Sequence, residues 1–299
     1  MPLRVWLWLL SLSILWGGSF FFARIAVSEL QPLTVVFIRV GLAALALNLL
    51  LRAMGNAAFR VAAPWRDYAV MGLLNNVLPF SLIFWGQTQI PSGLAAILNA
   101  TTPLFTLIVA HLATTDERLT GVKLAALGTG LLGVAVLVGP DLLVAGSSVW
   151  AELACVAAAI SYAVAGVFGR RFRAMSVSAA QAAAGQLTAS AALILPIMLL
   201  VDQPWTMPSL PSLGVLSALA GLALLSTALA YVLYFRILAA AGATNLLLVT
   251  LMIPPISIML GAAFLDERLS PRQFGGMALI GLALLVMDGR LKLARAAAK

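Results

Sequence analysis

The chain has 299 residues, of which 63% are hydrophobic and 9% are charged, and its formal net charge is +8. Since a soluble domain carries about 25% charged residues, this composition excludes a water-soluble fold and indicates an integral membrane protein. The positive charge therefore has to be placed relative to a bilayer before it can be taken as a sign of nucleic-acid binding.

Ten apolar runs predict ten membrane-spanning helices, because each approaches the roughly 20 residues that a helix needs to cross a bilayer. Pro, Gly or charged residues fill the breaks between the runs. The first run could be mistaken for a signal peptide, but it continues to about Val27 without a convincing cleavage site, so we interpret it as a retained span. In chain order the predicted spans cover residues 5–27, 33–51, 66–87, 91–112, 121–138, 147–168, 177–201, 211–236, 243–264 and 272–288.

The lysines and arginines predict the orientation of these spans. If the amino terminus is cytoplasmic, most of the 18 cations fall in cytoplasmic segments, and the outer loops hold Arg268 and Arg272. Positive charge concentrates on the cytoplasmic side of membrane proteins. The pattern predicts a multi-pass protein of a bacterial-type inner membrane with both termini in the cytoplasm.

The two halves of the sequence resemble each other. Asp116-Glu-Arg-Leu-Thr120 follows the fourth predicted span, and Asp266-Glu-Arg-Leu-Ser270 follows the ninth. The segment from Trp16 to Arg24 in the first span also matches the segment from Tyr162 to Arg170 in the sixth, since both begin with an aromatic residue and end with an arginine at the same spacing. These echoes predict an internal repeat.

Because each half contains five spans, an odd number, the second half is expected to lie inverted in the membrane. Residues 1–140 and 141–299 would then form two repeats of one transport domain. Inverted repeats place a substrate site at their interface near the middle of the bilayer and permit alternating access. The predicted fold class is an all-α integral membrane protein with ten transmembrane helices in two inverted five-helix repeats around a central cavity.

These motifs resemble those of drug/metabolite transporters of the EamA type. Repeats in that family carry a Trp-Gly-Ser-like first helix and a Gly-Glu-Arg-Leu-Thr-like turn before a Gly-rich last helix, and the resemblance covers almost the whole chain. Asp116 and Asp266 stand where such motifs usually have Gly. In length and helix layout the chain is most similar to bacterial amino acid exporters, including aromatic amino acid exporters. The resemblance implies export of small metabolites without naming a substrate.

Polar and aromatic residues inside the predicted spans are candidates for a substrate site, since polar groups in a bilayer cost free energy unless they find partners. Trp16 and Tyr162 occupy equivalent repeat positions and are expected to hold an apolar or aromatic group between them. The alternative is that the aromatic residues only pack helices and that the asparagines only bridge them. The candidate substrate-binding residues are Trp16, Ser19, Asn75, Asn76, Phe80, Asn99, Tyr162 and Tyr231.

Spans one, three, four, six, eight and nine are therefore the predicted wall of the cavity. Pro79 and Pro103 remove backbone donors in spans three and four, and Pro254-Pro255 is predicted to break span nine in the corresponding region. Ser226 and Thr227 occupy the matching stretch of span eight. A lining that is polar but largely uncharged suits zwitterionic molecules of mixed polarity.

Two arginines lie in or near spans, where a cation is costly. Arg24 and Arg39 could bind a substrate carboxylate. The expectation is instead that Arg24 extends toward the outer surface and that Arg39 pairs with a backbone carbonyl or with Glu29.

The predicted function is movement of amino acids, including aromatic ones, and related small metabolites out of the cytoplasm by alternating access. No Asp or Glu lies firmly in a span core, Glu152 being the nearest exception, so facilitative transport is predicted. A proton-coupled exporter of drugs or other metabolites is the alternative. The sequence has no Walker-type loop, and we predict no cofactor and no metal site.

An intramembrane lipid-modifying enzyme is the alternative of another class. Such chemistry generally needs clustered His, Asp or Glu, whereas this chain has the single histidine His111 and scattered carboxylates, so we predict that it is not an enzyme. The expected partners are a small-molecule substrate, an amino acid or a similar metabolite, and membrane lipid, with no nucleic acid. A homodimer formed through the Gly-rich fifth or tenth helix is a further option.

Overall fold

The computed structural model of the protein describes residues 2–55, 64–113, 120–138, 147–207, 209–246 and 248–287, and within these ranges it contains helices and no strand. Eight of the described helices are long and apolar enough to cross a membrane: α1 (Leu3–Ala26), α2 (Pro32–Ala53), α3 (Trp65–Gln87), α4 (Ser92–Ala113), α5 (Gly121–Val138), α6 (Ser148–Ala174), α7 (Ala179–Val201) and α8 (Leu213–Gly242). Two shorter apolar helices follow, α9 (Leu248–Phe264) and α10 (Pro271–Val286). The protein is a multi-pass membrane protein made of helices.

Several features singled out in the sequence lie outside the described residues. They include the first Asp-Glu-Arg-Leu turn up to residue 119 and the boundary between the halves at residue 140. Six of the lysines and arginines that were counted to orient the spans also lie outside: Arg60, Arg118, Arg290, Lys292, Arg295 and Lys299. The turn after α9, which contains Glu267, is described.

The last helices depart from the predicted spans. Gly242 adopts φ +76°, a left-handed conformation that ends α8, and α9 begins only at Leu248. The predicted break at Pro254-Pro255 is wrong, because α9 continues through both prolines to Phe264. A proline removes one backbone donor, and a membrane helix tolerates this where its neighbours partner the freed groups.

Two long helices contain π-helical turns beside the protein centre. They cover Leu73–Val77 in α3 and Gly221–Leu229 in α8. Backbone carbonyls in these turns accept hydrogen bonds from side chains. Ser161 Oγ donates to Leu74 O at 2.7 Å, and Thr227 Oγ1 donates to Leu222 O at 2.8 Å. Such insertions are common at functional sites because they re-aim side chains without ending the helix.

The principal helix contacts run between the two halves of the chain. Helix α2 packs on α7, α4 on α9 and α5 on α10. Helix α1 packs on α8 and α9 as α6 packs on α3 and α4, and α2 contacts α8 as α7 contacts α3. This set of contacts is unchanged when α1–α5 are exchanged with α6–α10. Among the described residues, the buried core therefore lies mainly between the two halves.

Two glycines allow α5 and α10 to approach closely. A Cβ atom at Gly133 would lie 2.9 Å from Gly276 O, and one at Gly276 would lie 2.8 Å from Gly133 O. A Cβ at Gly128 or Gly281 would meet no atom within 4 Å. Gly133 and Gly276 thus form the close contact between α5 and α10, whereas Gly128 and Gly281 take no part in it.

The helix bundle has two ends, which can be told apart along α3. At the start of α3, Asp67 accepts a hydrogen bond from Arg171 Nη1 at 2.8 Å, and Tyr68 stacks on Phe172 with ring centroids 5.3 Å apart. We call this the α6–α7 end. The opposite end of α3, which leads into α4, lies about 35 Å away at 1.5 Å per residue, and we call it the α3–α4 end.

Candidate functional site

A cavity of about 840 Å³ lies between the two halves, walled by residues of α1 to α4 and α6 to α9. At the α6–α7 end it is lined by the exposed residues Arg173, Ser176 and Ser178, so it is open there. Toward the α3–α4 end its lining includes Phe20 and Gln87, which are buried. The cavity therefore opens toward one end of the molecule.

The structure brings most of the predicted site residues to this cavity. Asn76 does not reach it, since its side chain is fully buried and Nδ2 donates to Ser190 Oγ of α7 at 2.9 Å. Asn76 thus bridges α3 and α7, as the alternative interpretation of the asparagines expected. The seven predicted residues that line the cavity are Trp16, Ser19, Asn75, Phe80, Asn99, Tyr162 and Tyr231.

A polar cluster joins three helices at the wall. Asn75 Nδ2 donates to Gln186 Oε1 at 3.2 Å and lies 3.4 Å from Tyr231 Oη, while Gln186 Nε2 donates to Tyr231 Oη at 3.3 Å. Because the Tyr231 oxygen accepts from both amides, its own proton points elsewhere and suits an acceptor on a bound molecule. The cluster supplies neutral hydrogen-bonding groups to the wall.

Aromatic rings make up much of the remaining wall. Trp16 of α1 lies against Tyr234 of α8 with ring centroids 5.8 Å apart, and Tyr234 meets Phe235 at 5.4 Å. Tyr162 instead packs edge-on against Phe80 at 6.5 Å. Trp16 and Tyr162 therefore line the same cavity but pack in separate aromatic clusters. The distances between ring centroids in both clusters are favourable for aromatic packing.

Arg39 of α2 is buried at the cavity wall, with 6% of its surface exposed. Its Nε donates to Thr227 Oγ1 at 3.1 Å, and its guanidinium carbon lies 3.7 Å from the centre of the Phe80 ring. The expected pairing with Glu29 is wrong. Glu29 Oε2 accepts a hydrogen bond from the Ser212 N–H at 2.7 Å, and this bond together with the Ser212 side chain holds the pKa of Glu29 below its usual range.

A network around Glu267 lies at the α3–α4 end and includes two residues of the cavity lining, Phe20 and Gln87. The Glu267 carboxylate accepts from the Ser92 N–H at 2.9 Å and from Ser92 Oγ at 2.7 Å. Arg24 Nε lies 3.7 Å from Glu267 Oε1, and Arg24 Nη1 donates to Gln87 O. Gln87 Nε2 in turn donates to Phe20 O at 2.8 Å. Arg24 thus forms an ion pair at the α3–α4 end while 36% of its side chain stays exposed. The network joins α1, α3, α4 and the segment before α10.

Part of the wall lies outside the predicted lining. Arg39 of α2 and Gln186 of α7 line the cavity from helices that were not among the predicted walls, and Tyr234 and Phe235 add to Tyr231 on α8. The charge of Arg39 within a predicted span was a signal that could have placed this residue at the cavity. Tyr234 and Phe235 follow Tyr231 at helical spacing, which would have placed them on the same face.

A protein-family model matches the chain twice. The model of the EamA-like transporter family covers residues 3–139 and again residues 149–287. One match lies in the first half of the chain and the other in the second half.

Curated proteins resemble the chain over nearly its full length. It is 29% identical to the inner membrane transporter YedA of Escherichia coli strain K12, over 93% of this chain and 89% of the relative. It is 27% identical to protein PecM of Dickeya dadantii, over 91% of this chain and 88% of the relative. It is 26% identical to a probable amino-acid metabolite efflux pump of Escherichia coli strain K12, over 91% of each.

One solved crystal structure has the same overall fold. It superposes with a TM-score of 0.67 at 21% sequence identity, covering 95% of this chain and 97% of the other. The match extends over α1 to α10 and concerns the fold alone.

Proposed function

Because the chain belongs to the EamA-like transporter family, we propose that it moves amino acids, including aromatic ones, and related small metabolites out of the cytoplasm by alternating access. The observation that carries this proposal is the cavity, which is open at one end and lined by aromatic and neutral polar side chains. Its volume of about 840 Å³ lies within the range of small-molecule sites. The similarity to a probable amino-acid metabolite efflux pump supports the choice of cargo.

All of α1 to α10 cross the membrane in this proposal, as two inverted five-helix repeats. Two observations support it: the family model matches once in each half, and the principal helix contacts are unchanged when the halves are exchanged. Five spans per half require the second copy to be inverted. A site between two such repeats can be exposed to either side as they tilt against each other.

The proposed orientation puts both termini and the α6–α7 end in the cytoplasm. Exposed Arg66 and Arg171 lie at that end, as does Arg173 at the cavity mouth, and cytoplasmic segments are rich in such cations. The open cavity would then face the cytoplasm, ready to take up a substrate for export. The Glu267 network would have to open before release on the far side.

Transport is proposed to be facilitative, without coupling to protons. No Asp or Glu appears among the described residues that line the cavity, so the wall holds no carboxylate for a proton relay. The enzyme alternative is disfavoured by relatives that are named transporters. In addition, the described part of the chain has no group of three His, Cys, Asp or Glu residues that could hold a metal ion.

Flux of radiolabelled amino acids into liposomes containing the purified protein tests the proposal. We expect saturable uptake that exceeds uptake by protein-free liposomes and proceeds without an imposed pH gradient, because the wall provides binding groups and no titratable carboxylate. Uptake that requires the gradient would replace facilitation by proton coupling. Absence of flux for every small metabolite tested, from a protein shown to be folded and inserted, would contradict transport of this cargo.

A further inference from the structure

We propose that the cavity prefers organic anions in which one carboxylate is attached to an apolar or aromatic body without a free ammonium group, and that Arg39 binds the carboxylate. N-acylated or deaminated amino acids belong to this class. The inference rests on the proposed function, since it names the substrate class of the same cavity.

The charge of the wall favours an anion. The charged residues among the described lining are Arg39 in the interior and Arg173 at the mouth, and both are cations. A zwitterion entering this cavity would lose the hydration of its ammonium group without meeting a carboxylate, and burying an unpaired charge is costly. An anion would instead be attracted at the mouth and paired in the interior.

Arg39 is held in a geometry that suits a carboxylate. Its Nε is engaged by Thr227, whose own hydroxyl proton is committed to Leu222 O, and one face of the guanidinium lies on the Phe80 ring. These contacts fix the plane of the group. Neither of its two terminal nitrogens makes a hydrogen bond or an ion pair within the part of the chain that the structure describes. A planar donor pair of this kind binds a carboxylate through two parallel hydrogen bonds.

Neutral groups near the wall fit the rest of such a molecule. Asn99 Oδ1 and Ser226 Oγ are buried and have no hydrogen-bond partner among the described residues. A neutral acceptor suits the N–H of an amide better than an ammonium group, whose desolvation calls for an opposite charge. Tyr162 beside Phe80 provides a ring against which an apolar body can pack.

A matched set of three ligands tests the charge preference. N-acetylphenylalanine, phenylalanine and phenylalaninamide share one side chain and are an anion, a zwitterion and, at pH 6, a cation. We expect the purified protein to bind the anion about tenfold or more tightly than the zwitterion, the size of one charge-assisted contact, and to bind the cation most weakly. Equal or tighter binding of phenylalanine would overturn the inference.

Variants of Arg39 test the assigned residue. Arg39→Gln should weaken binding of N-acetylphenylalanine about tenfold and abolish its advantage over phenylalanine, and Arg39→Lys should restore part of it because the charge remains without the planar fork. Arg52→Gln is the matched control, since Arg52 is exposed on the same helix outside the cavity and its variant should keep the wild-type ratio. An unchanged ratio in folded Arg39→Gln would remove the assignment.

Vesicle flux of the same ligands separates this inference from the proposed function. If all three ligands are transported and the flux of the anion is not the highest, the inference is overturned and the proposed transport function stands. Tight binding of the anion with no flux of any ligand would contradict transport and leave the charge preference standing. The wild-type binding ratio needs no variant, so the preference stays testable even if Arg39→Gln fails to fold.

Discussion

At the scale of residues, two neighbouring asparagines take different positions relative to the cavity. Successive residues of a helix point about 100° apart, so adjacent side chains cannot share one face. Asn75 faces the cavity and contacts Gln186 and Tyr231, whereas Asn76 is fully buried against Ser190. One asparagine is thus available to a substrate, and the other joins two helices.

Alanine substitutions should separate these positions. Asn76→Ala removes a buried hydrogen bond and should lower the free energy of unfolding by about 1–2 kcal/mol while leaving the KM for transport within about twofold. Asn75→Ala should raise KM about fivefold or more, because it removes a polar group from the wall. Thermal unfolding and concentration-dependent vesicle flux measure the two effects, and a rise in KM for Asn76→Ala equal to that for Asn75→Ala would contradict the assignment.

At the scale of elements, the pairing of α5 with α10 depends on where their glycines face. Without a hydrophobic driving force between helices in lipid, close approach of backbones supplies the packing energy. Gly133 and Gly276 lie at the contact, and a Cβ at either would be within 3 Å of the partner's backbone. Neither helix contributes a described residue to the cavity wall, so their pairing is a structural contact outside the site.

Valine substitutions should show which glycine matters. Gly133→Val should lower the free energy of unfolding by about 1–3 kcal/mol or more, because overpacking has to push the two backbones apart. Gly128→Val is the matched control on the same helix, where a Cβ meets no atom within 4 Å, and it should unfold close to the wild-type temperature. Equal thermal stability of the two variants in detergent would show that the contact is looser than the structure has it.

At the scale of the whole molecule, the α3–α4 end is held together by contacts between distant parts of the chain. Glu267 from the segment before α10 binds Ser92 at the start of α4 and pairs with Arg24 at the end of α1. Breaking these contacts would free the end of α1 and the start of α4 together. In the proposed cycle this network is the barrier on the side away from the cytoplasm.

Neutralising Glu267 should weaken that barrier. In a Cys155→Ala background, which removes the single native cysteine, a Ser19→Cys reporter lies in the buried part of the cavity. Glu267→Gln should speed its labelling by a membrane-impermeant maleimide from the α3–α4 end about fivefold or more, since charge-assisted hydrogen bonds become neutral ones.

Glu29→Gln is the matched control for this experiment. Glu29 sits in the linker between α1 and α2, accepts its hydrogen bond from Ser212 and does not line the cavity. Its variant should label at the wild-type rate. Equal acceleration by both variants would indicate general loosening of the protein, and no acceleration by Glu267→Gln would exclude the network as the barrier.

Much of the helical layout was predictable because it follows from local properties. About 20 consecutive apolar residues are required to cross a bilayer, and that requirement can be counted along the chain. The starts of α3 and α4 accordingly agree with the predicted spans to within a residue or so. The errors fall at Pro254-Pro255 and Gly242, where neighbouring helices decide whether a Pro or a Gly ends a helix.

The site was predictable only in part. Seven of the eight predicted residues line the cavity, because polar and aromatic groups in mid-span have few other places to go. The contacts of Arg39 were not predictable, since its partner Thr227 lies 188 positions away in the chain. Nor was the wall contributed by α7, whose sequence around Gln186 consists mainly of small residues.

The sequence by itself determined that this protein lies in a membrane, that it is helical and that it carries the motifs of its family, because hydrophobicity, helix length and motif spacing are properties of the chain. The tertiary structure alone decided which side chains meet: Arg39 with Thr227 and Phe80, and Glu267 with Ser92 and Arg24. The physical reason is that a transmembrane helix satisfies its backbone within itself but partners its polar side chains across helices. The packing of the helices therefore decides where charged side chains lie in the cavity.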